Sequence, residues 1–280
     1  MNFALLPEKY SRRDDAAIVM IPVAYDGTST WMKGADKGPE AIFDASANME
    51  LYDIETDSQV YTKGIFTEDT IGAGLSTEQM IDAVAERVGS YIEQGKLPVV
   101  IGGEHSVSIG AFRAFAQVLD NLTILQLDAH CDLRDEYNGS KYNHACVMAR
   151  AKELCPVVQA GIRSMSLSEK ESLDAERVFF AYDINSGTAR AEEMIAALAE
   201  RVYITIDLDV FDPSIMPSTG TPEPGGLQWY SVLELLKTTI ERRNVVGFDV
   251  VELCPDGRNK APDFLAAKLI YKLLSYKFGD

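Results

Sequence analysis

Positive charge is in short supply in this 280-residue chain: 26 lysines and arginines face 43 aspartates and glutamates, a formal net charge of −17. A surface of that sign repels phosphate backbones and anionic lipid headgroups. Nucleic acid and membrane are therefore not expected as partners, while cationic ligands are drawn in. Long apolar runs are missing as well, and none reaches the ~18 residues of a membrane-crossing helix. The opening MNFALLPEKYSRRDD has too short an apolar part, and too acidic a continuation, for a secretory signal. Cysteine is sparse: Cys131, Cys146, Cys155 and Cys254 form no CxxC pair, which suits reduced thiols in a cytoplasmic protein. No proline- or serine-rich linker, internal repeat or low-complexity tract divides the chain, so a single domain over 1–280 is expected. Histidine is rarer still, with three in all.

What is present is a regular alternation. Strand-like AAIVMIPVAY (16–25), LPVVIGG (97–103), LTILQLDAH (122–130), PVVQAGI (156–162), VFFAYDI (178–184), YITIDLDV (203–210) and NVVGFDVVEL (244–253) are separated by helix-like segments. The helical patterns are TEQMIDAVAERVGSYIEQG (77–95), SVSIGAFRAFAQVLD (106–120), VMARAKEL (147–154), LSEKESLDAER (167–177), AEEMIAALAERV (191–202), SVLELLKTTIERR (231–243) and APDFLAAKLIYKLLSYKF (261–278). Thr77 is the expected N-cap of the first, and Gly95 lies just past its end. Apolar strands alternating with amphipathic helices predict an α/β fold: a mostly parallel, doubly wound sheet covered on both faces, a three-layer αβα sandwich. The proline- and glycine-rich stretch 212–228 reads as a rigid loop over a site.

In such sheets ligands bind where loops leave the carboxyl ends of the strands. Four predicted strand ends carry polar residues: Glu104-His105, then Asp128, His130 and Asp132, then Asp207 and Asp209, and finally Glu252. Residues two apart in an extended segment share a face, so Asp128, His130 and Asp132 can converge, as can Asp207 and Asp209. Cys131, between them, points the other way as a small filler. A buried cluster of unpaired carboxylates and imidazoles is costly unless a cation sits among them. Oxygen-rich ligation with a minority of imidazole favours Mn over Zn or Fe, and disfavours Mg and Ca. A lone DxD is more often a cap or turn, but here His105, His130 and His144, all the histidines of the chain, fall in or beside these segments.

GGEHS at 102–106, DAHCDLR at 128–134, DLDVFDPS at 207–214, GTPEPGGL at 220–227 and DVVEL at 249–253 resemble successive signatures of the ureohydrolases, the arginase and agmatinase enzymes. VAYDGTST at 23–30 and GADKGPEAI at 34–42 resemble the agmatinase N-terminal region. The resemblance implies an arginase-like fold and two Mn(2+) ions per subunit. His105, Asp128, Asp132 and Asp207 would hold one ion, and Asp128, His130, Asp207 and Asp209 the other. It further implies Glu252 as acceptor for a substrate guanidinium and His144 as proton carrier, both catalytic and both in contact with substrate. Arg134, Glu136 and Thr221 are the further expected substrate contacts. Where arginases hold an α-carboxylate, this chain reads LRDEYNGSKYNHA, and no acidic pair directly follows Gly-Ile-Arg at 161–163. Both departures point away from arginine and toward agmatine, cleaved to putrescine and urea. Guanidinobutyrate, guanidinopropionate, N-alkylated agmatines and arginine itself are the alternatives. A non-catalytic binding protein of the same fold would be expected to have lost a site residue, and a related deacetylase to carry adjacent histidines. The resemblance also implies a trimer or hexamer.

Overall fold

The computed structural model describes residues 2–72 and 74–279. Their strands are β1 (Ile18–Val23), β2 (Ile65–Thr67), β3 (Leu97–Gly102), β4 (Leu122–Leu127), β5 (Val157–Ile162), β6 (Val178–Phe180), β7 (Arg201–Asp207) and β8 (Asn244–Val251). Among the described residues they form one eight-stranded sheet in the order β2-β1-β3-β8-β7-β4-β5-β6, with each neighbouring pair parallel. The helices are α1 (Gly38–Ser46), α2 (Thr77–Glu93), α3 (Ser108–Val118), α4 (Val147–Lys152), α5 (Leu167–Ser172), α6 (Ala181–Ser186), α7 (Ala191–Ala196), α8 (Trp229–Arg242) and α9 (Ala261–Phe278).

Strand alternation sorts the apolar side chains into two cores. Ile18, Met20, Leu125 and Leu127 pack on one face against residues of α1, α7, α8 and α9. Val19, Ile21, Leu122 and Ile124 pack on the other against α2, α3 and α4. Both faces are therefore covered, which is why these strands read as continuous apolar runs. Burying each such side chain contributes about 1.5–3 kcal/mol. The sheet is the three-layer α/β arrangement expected, and it is parallel throughout its described strands.

Some local expectations are corrected. Ser76, not Thr77, caps α2: its hydroxyl accepts from the Gln79 N–H while the Gln79 side chain accepts from the Ser76 N–H. The Thr77 hydroxyl instead meets the Tyr25 hydroxyl at 2.7 Å. In VFFAYDI only Val178–Phe180 is strand, because β6 is an edge strand paired over three positions and the chain then turns into α6, which ends on left-handed Gly187. The segments at 167–177 and 191–202 yield one short helix each, α5 and α7, rather than helices of full length.

The four central strands matter most for function. β3, β8, β7 and β4 lie side by side, and their carboxyl ends are the starting points of the four polar segments.

Candidate metal centre and cavity

His105 follows β3, Asp128 to Asp132 follow β4, Asp207 ends β7 with Asp209 in the next turn, and Glu252 follows β8. The sheet thus brings together side chains far apart in sequence. Their convergence is not the simple alternation of an extended segment, however. β4 stops at Leu127, and the chain bends so that Asp132 takes a left-handed φ of 51°. Asp209 sits in a single helical turn with its N–H donating to Asp207 Oδ1 at 2.9 Å. Cys131 is fully buried in the core, facing away as expected.

His105 Nδ1 lies 3.2, 3.1 and 3.4 Å from carboxylate oxygens of Asp128, Asp132 and Asp207. It makes no properly angled hydrogen bond with any of them, although it is fully shielded from solvent. The other ring nitrogen, Nε2, is 2.9 Å from the Thr205 hydroxyl, which itself donates to Asp249 Oδ1 at 2.7 Å. With its proton spent on Asp249, Thr205 can only accept from Nε2–H, so a neutral ring turns the Nδ1 lone pair toward three carboxylates. Lone pairs facing carboxylate oxygens repel unless a cation lies between them. On the other side of Asp128, His130 Nδ1 is 2.9 Å from Asp209 and 3.6 Å from Asp128. His105, Asp128 and Asp132 form one group of converging ligand atoms, and Asp128, His130 and Asp209 form another. These donor sets fit divalent cations.

The electrostatics of the protein groups agree. Burial, reinforced by the Asp128 charge, raises the Asp132 carboxyl to about 7, and burial with Asp209 and Asp128 pushes Asp207 well above the ordinary range. Burial works against the charged form of both imidazoles, yet Asp128, Asp132 and Asp207 hold His105 well above 6.5, and Asp209 and Asp128 raise His130. Protons are thus being retained to offset charges that a cation would offset instead.

Behind the cluster stands a polar layer that sequence reasoning missed. Tyr203 donates to Asp249 at 2.9 Å, Gln126 donates to Asp128 at 2.7 Å, and Gln159 donates to Gln126 at 2.5 Å. The signal was available: Gln126, Gln159, Thr205 and Asp249 are polar residues inside otherwise apolar strands.

Above the cluster opens a cavity of about 330 Å³. His130, Asp132, Asp207, Asp209 and Glu252 line its floor, with His144, Arg134, Tyr137 and Thr221 around them. Glu252 adopts a left-handed φ of 66° just past β8, which turns its carboxylate over the floor. Its Oε1 accepts from the His105 N–H at 2.7 Å. Burial, then the nearby Glu104, raises its pKa well above the ordinary value. His144 opens a helical turn capped by Asn143. Burial, with His105 next, lowers its imidazole to about 4, so the ring is neutral near pH 7.

Glu136 requires a correction. Its side chain is exposed and does not line the cavity, because the turn bridged by Tyr137 and Ser140 puts the Tyr137 ring there instead. Arg134 covers that ring at 4.8 Å and approaches Glu169 at 3.7 Å. Glu169 is the acid that reaches the rim, although no acidic pair directly follows Gly-Ile-Arg. Its oxygens accept from the Leu133 N–H at 3.1 Å and from the Ser166 N–H and hydroxyl at 2.8 and 2.7 Å.

A model of the arginase family matches residues 16–275. The N(1)-aminopropylagmatine ureohydrolase of Synechocystis is 37% identical over 273 residues, covering 94% of this chain and 89% of that protein. The agmatinase of Pyrococcus horikoshii is 33% identical over 263 residues, covering 93% and 92%. The crystal structure of the agmatine ureohydrolase of Thermoplasma volcanium superposes with a TM-score of 0.89 at 32% identity, covering 99% of this chain and 94% of that one. With the polar strand ends and the arginase-like sheet, these likenesses establish that the chain belongs to the arginase family, as a ureohydrolase of the agmatinase type.

Proposed function

We propose that this ureohydrolase hydrolyses the guanidinium group of an agmatine-type substrate to urea and a polyamine, with N(1)-aminopropylagmatine as first candidate and agmatine as second. The sequence alone favoured agmatine. Relatives named for N(1)-aminopropylagmatine, in Synechocystis and Thermus thermophilus, are 37% identical, whereas the agmatinase of Pyrococcus horikoshii is 33% identical, and this reverses the order. Arginine is disfavoured because Arg134, the rim cation, already stands 3.7 Å from the Glu169 carboxylate and over the Tyr137 ring, which weakens its pull on a substrate carboxylate.

The observation that carries the reading is Glu252, a carboxylate fixed beside a cluster of cation-binding groups at the floor of the cavity. A guanidinium entering there finds a charge-assisted acceptor, which such hydrogen bonds favour over a neutral one. His105, Asp128, Asp132 and Asp207 would hold one divalent ion and Asp128, His130, Asp207 and Asp209 a second, with Mn the ion expected in each. The two ligand groups that share Asp128 support this assignment. Bound there, such ions supply Lewis acidity and bring water toward ionisation near neutral pH. The chain's own groups do the rest. Glu252 orients the planar guanidinium, and Arg134 and Thr221 bound its path. As water's oxygen joins the guanidinium carbon, it gives up both its protons to form urea and an amine that ends as an ammonium, and one of them must reach the leaving nitrogen as the carbon–nitrogen bond breaks. His144, neutral and lining the cavity, is the group to carry it.

The unit comprises the whole chain, 1–280, acts in the cytoplasm and assembles as a homo-oligomer, a trimer or hexamer. Exposed Ile54, Tyr230 and Phe264 around an apolar groove between α8 and α9 support self-association. The test of substrate is urea release by the Mn-loaded protein given N(1)-aminopropylagmatine, agmatine, arginine and guanidinobutyrate in parallel. Preference for N(1)-aminopropylagmatine is expected. Fastest turnover of guanidinobutyrate or arginine would overturn the polyamine assignment.

A further inference from the structure

We propose that Thr28 is the positioning residue for His144, clamping the imidazole from backbone and ring at once so that its Nε2 is the nitrogen presented to the cavity. This rests on the reading of His144 as the proton carrier. The Thr28 hydroxyl oxygen accepts from the His144 backbone N–H at 2.9 Å and meets the ring Nδ1 of the same residue at 3.1 Å. One hydroxyl thereby fixes both the start of the turn that carries His144 and the rotation of its ring. With Nδ1 occupied by Thr28, Nε2 is left for the reaction. The Tyr137 ring stands edge-on to the imidazole with centroids 6.3 Å apart, limiting its swing on another side.

The hold on Thr28 is itself built in. Its loop, which runs on from β1, is pinned where the Glu104 N–H donates to the Tyr25 carbonyl at 2.9 Å. Gly103 makes that approach possible, since a Cβ there would stand 1.9 Å from the Tyr25 oxygen. The loop that positions the proton carrier is therefore tied to the segment that presents His105. Thr28 is half-buried and belongs to neither apolar core, and its hydroxyl also faces the buried Glu104 carboxylate, whose charged form it favours.

A neutral imidazole works only with the right nitrogen facing the reacting atoms, and misplacement of a catalytic group by an ångström costs up to about a hundredfold in rate. Thr28→Val keeps the shape and removes the hydroxyl. In the Mn-loaded protein it is expected to lower kcat for urea release about tenfold to a hundredfold with KM within about twofold. Thr28→Ser, which retains the hydroxyl, is expected to restore most of the rate. The deciding arm is a double-mutant cycle with His144→Asn. If Thr28 acts through His144, adding Thr28→Val to His144→Asn costs nothing further. An equal loss in both backgrounds, or wild-type kcat for Thr28→Val, overturns the proposal. A His144→Asn variant that releases urea at the wild-type rate removes the proton-carrier reading instead, and this proposal falls with it. The single variants therefore separate the two failures.

Discussion

The floor and the rim of the cavity are built by different means. Residues in or directly beneath the floor, His105, Asp128, Asp207 and Glu252, stand at or just beyond the ends of four adjacent parallel strands, so a buried hydrogen-bonded sheet fixes their separations. Rim residues Trp31, Arg134, Tyr137 and Thr221 come from loops, and their positions depend on contacts between loops. Rigid elements hold chemistry within tight tolerance, whereas loops adjust. Hydrolysis should therefore fail when the floor is touched and shift in preference when the rim is touched.

The largest effect belongs to Asp128, which both ligand groups share. It is fully buried, accepts from Gln126 at 2.7 Å and from the His130 N–H at 2.6 Å, and has no slack to be replaced. Asp128→Asn is expected to abolish tight Mn binding, read by metal analysis of the dialysed protein. Urea release should fall on the order of a thousandfold or more, as loss of metal assistance implies. Retention of two Mn ions would move the metal assignment away from Asp128.

Glu252→Gln separates substrate orientation from metal binding on the same floor. The amide oxygen can still accept from the His105 N–H, but the charge facing the guanidinium is gone. A hydrogen bond to a charged partner contributes about 1.5–3 kcal/mol, so kcat/KM should drop roughly ten- to a hundredfold while the Mn content holds. Loss of metal in this variant would make Glu252 part of the cation site instead.

The same division explains what the sequence made legible. Polar residues interrupting apolar strands are conspicuous, and the ends of β3, β4, β7 and β8 could be read as a converging set before any coordinates. What could not be read is the geometry of convergence: the left-handed turns at Asp132 and Glu252 depend on loop packing rather than on strand periodicity. The rim was read poorly for a related reason. Thr28 and His144 lie 116 residues apart, and Glu169 reaches Leu133 across 36, with no local pattern to announce either contact. Glu136 was expected in the cavity because acids suit cationic substrates, but a two-residue bridge between Tyr137 and Ser140 decides which neighbour faces inward.

That rim ambiguity sets the smallest predictions, and they discriminate most finely. Each acid lining the cavity is already engaged: Glu169 by its hydrogen bonds to Leu133 and Ser166, the others on the floor. The distal ammonium of a polyamine substrate must then meet aromatic faces and hydroxyls. Trp31 lines the cavity and is 69% exposed, free to offer its ring to such a cation. An exposed cation–π contact is worth about 0.5–1 kcal/mol, so Trp31→Ala should raise KM for N(1)-aminopropylagmatine roughly two- to fivefold with kcat nearly constant. Glu136→Ala, outside the cavity, should leave both constants within about twofold for each substrate, the ordinary range for an exposed substitution. If instead Glu136→Ala raised KM and Trp31→Ala did not, the distal cation would be held by a surface carboxylate, and the rim, unlike the floor, would rearrange when substrate binds.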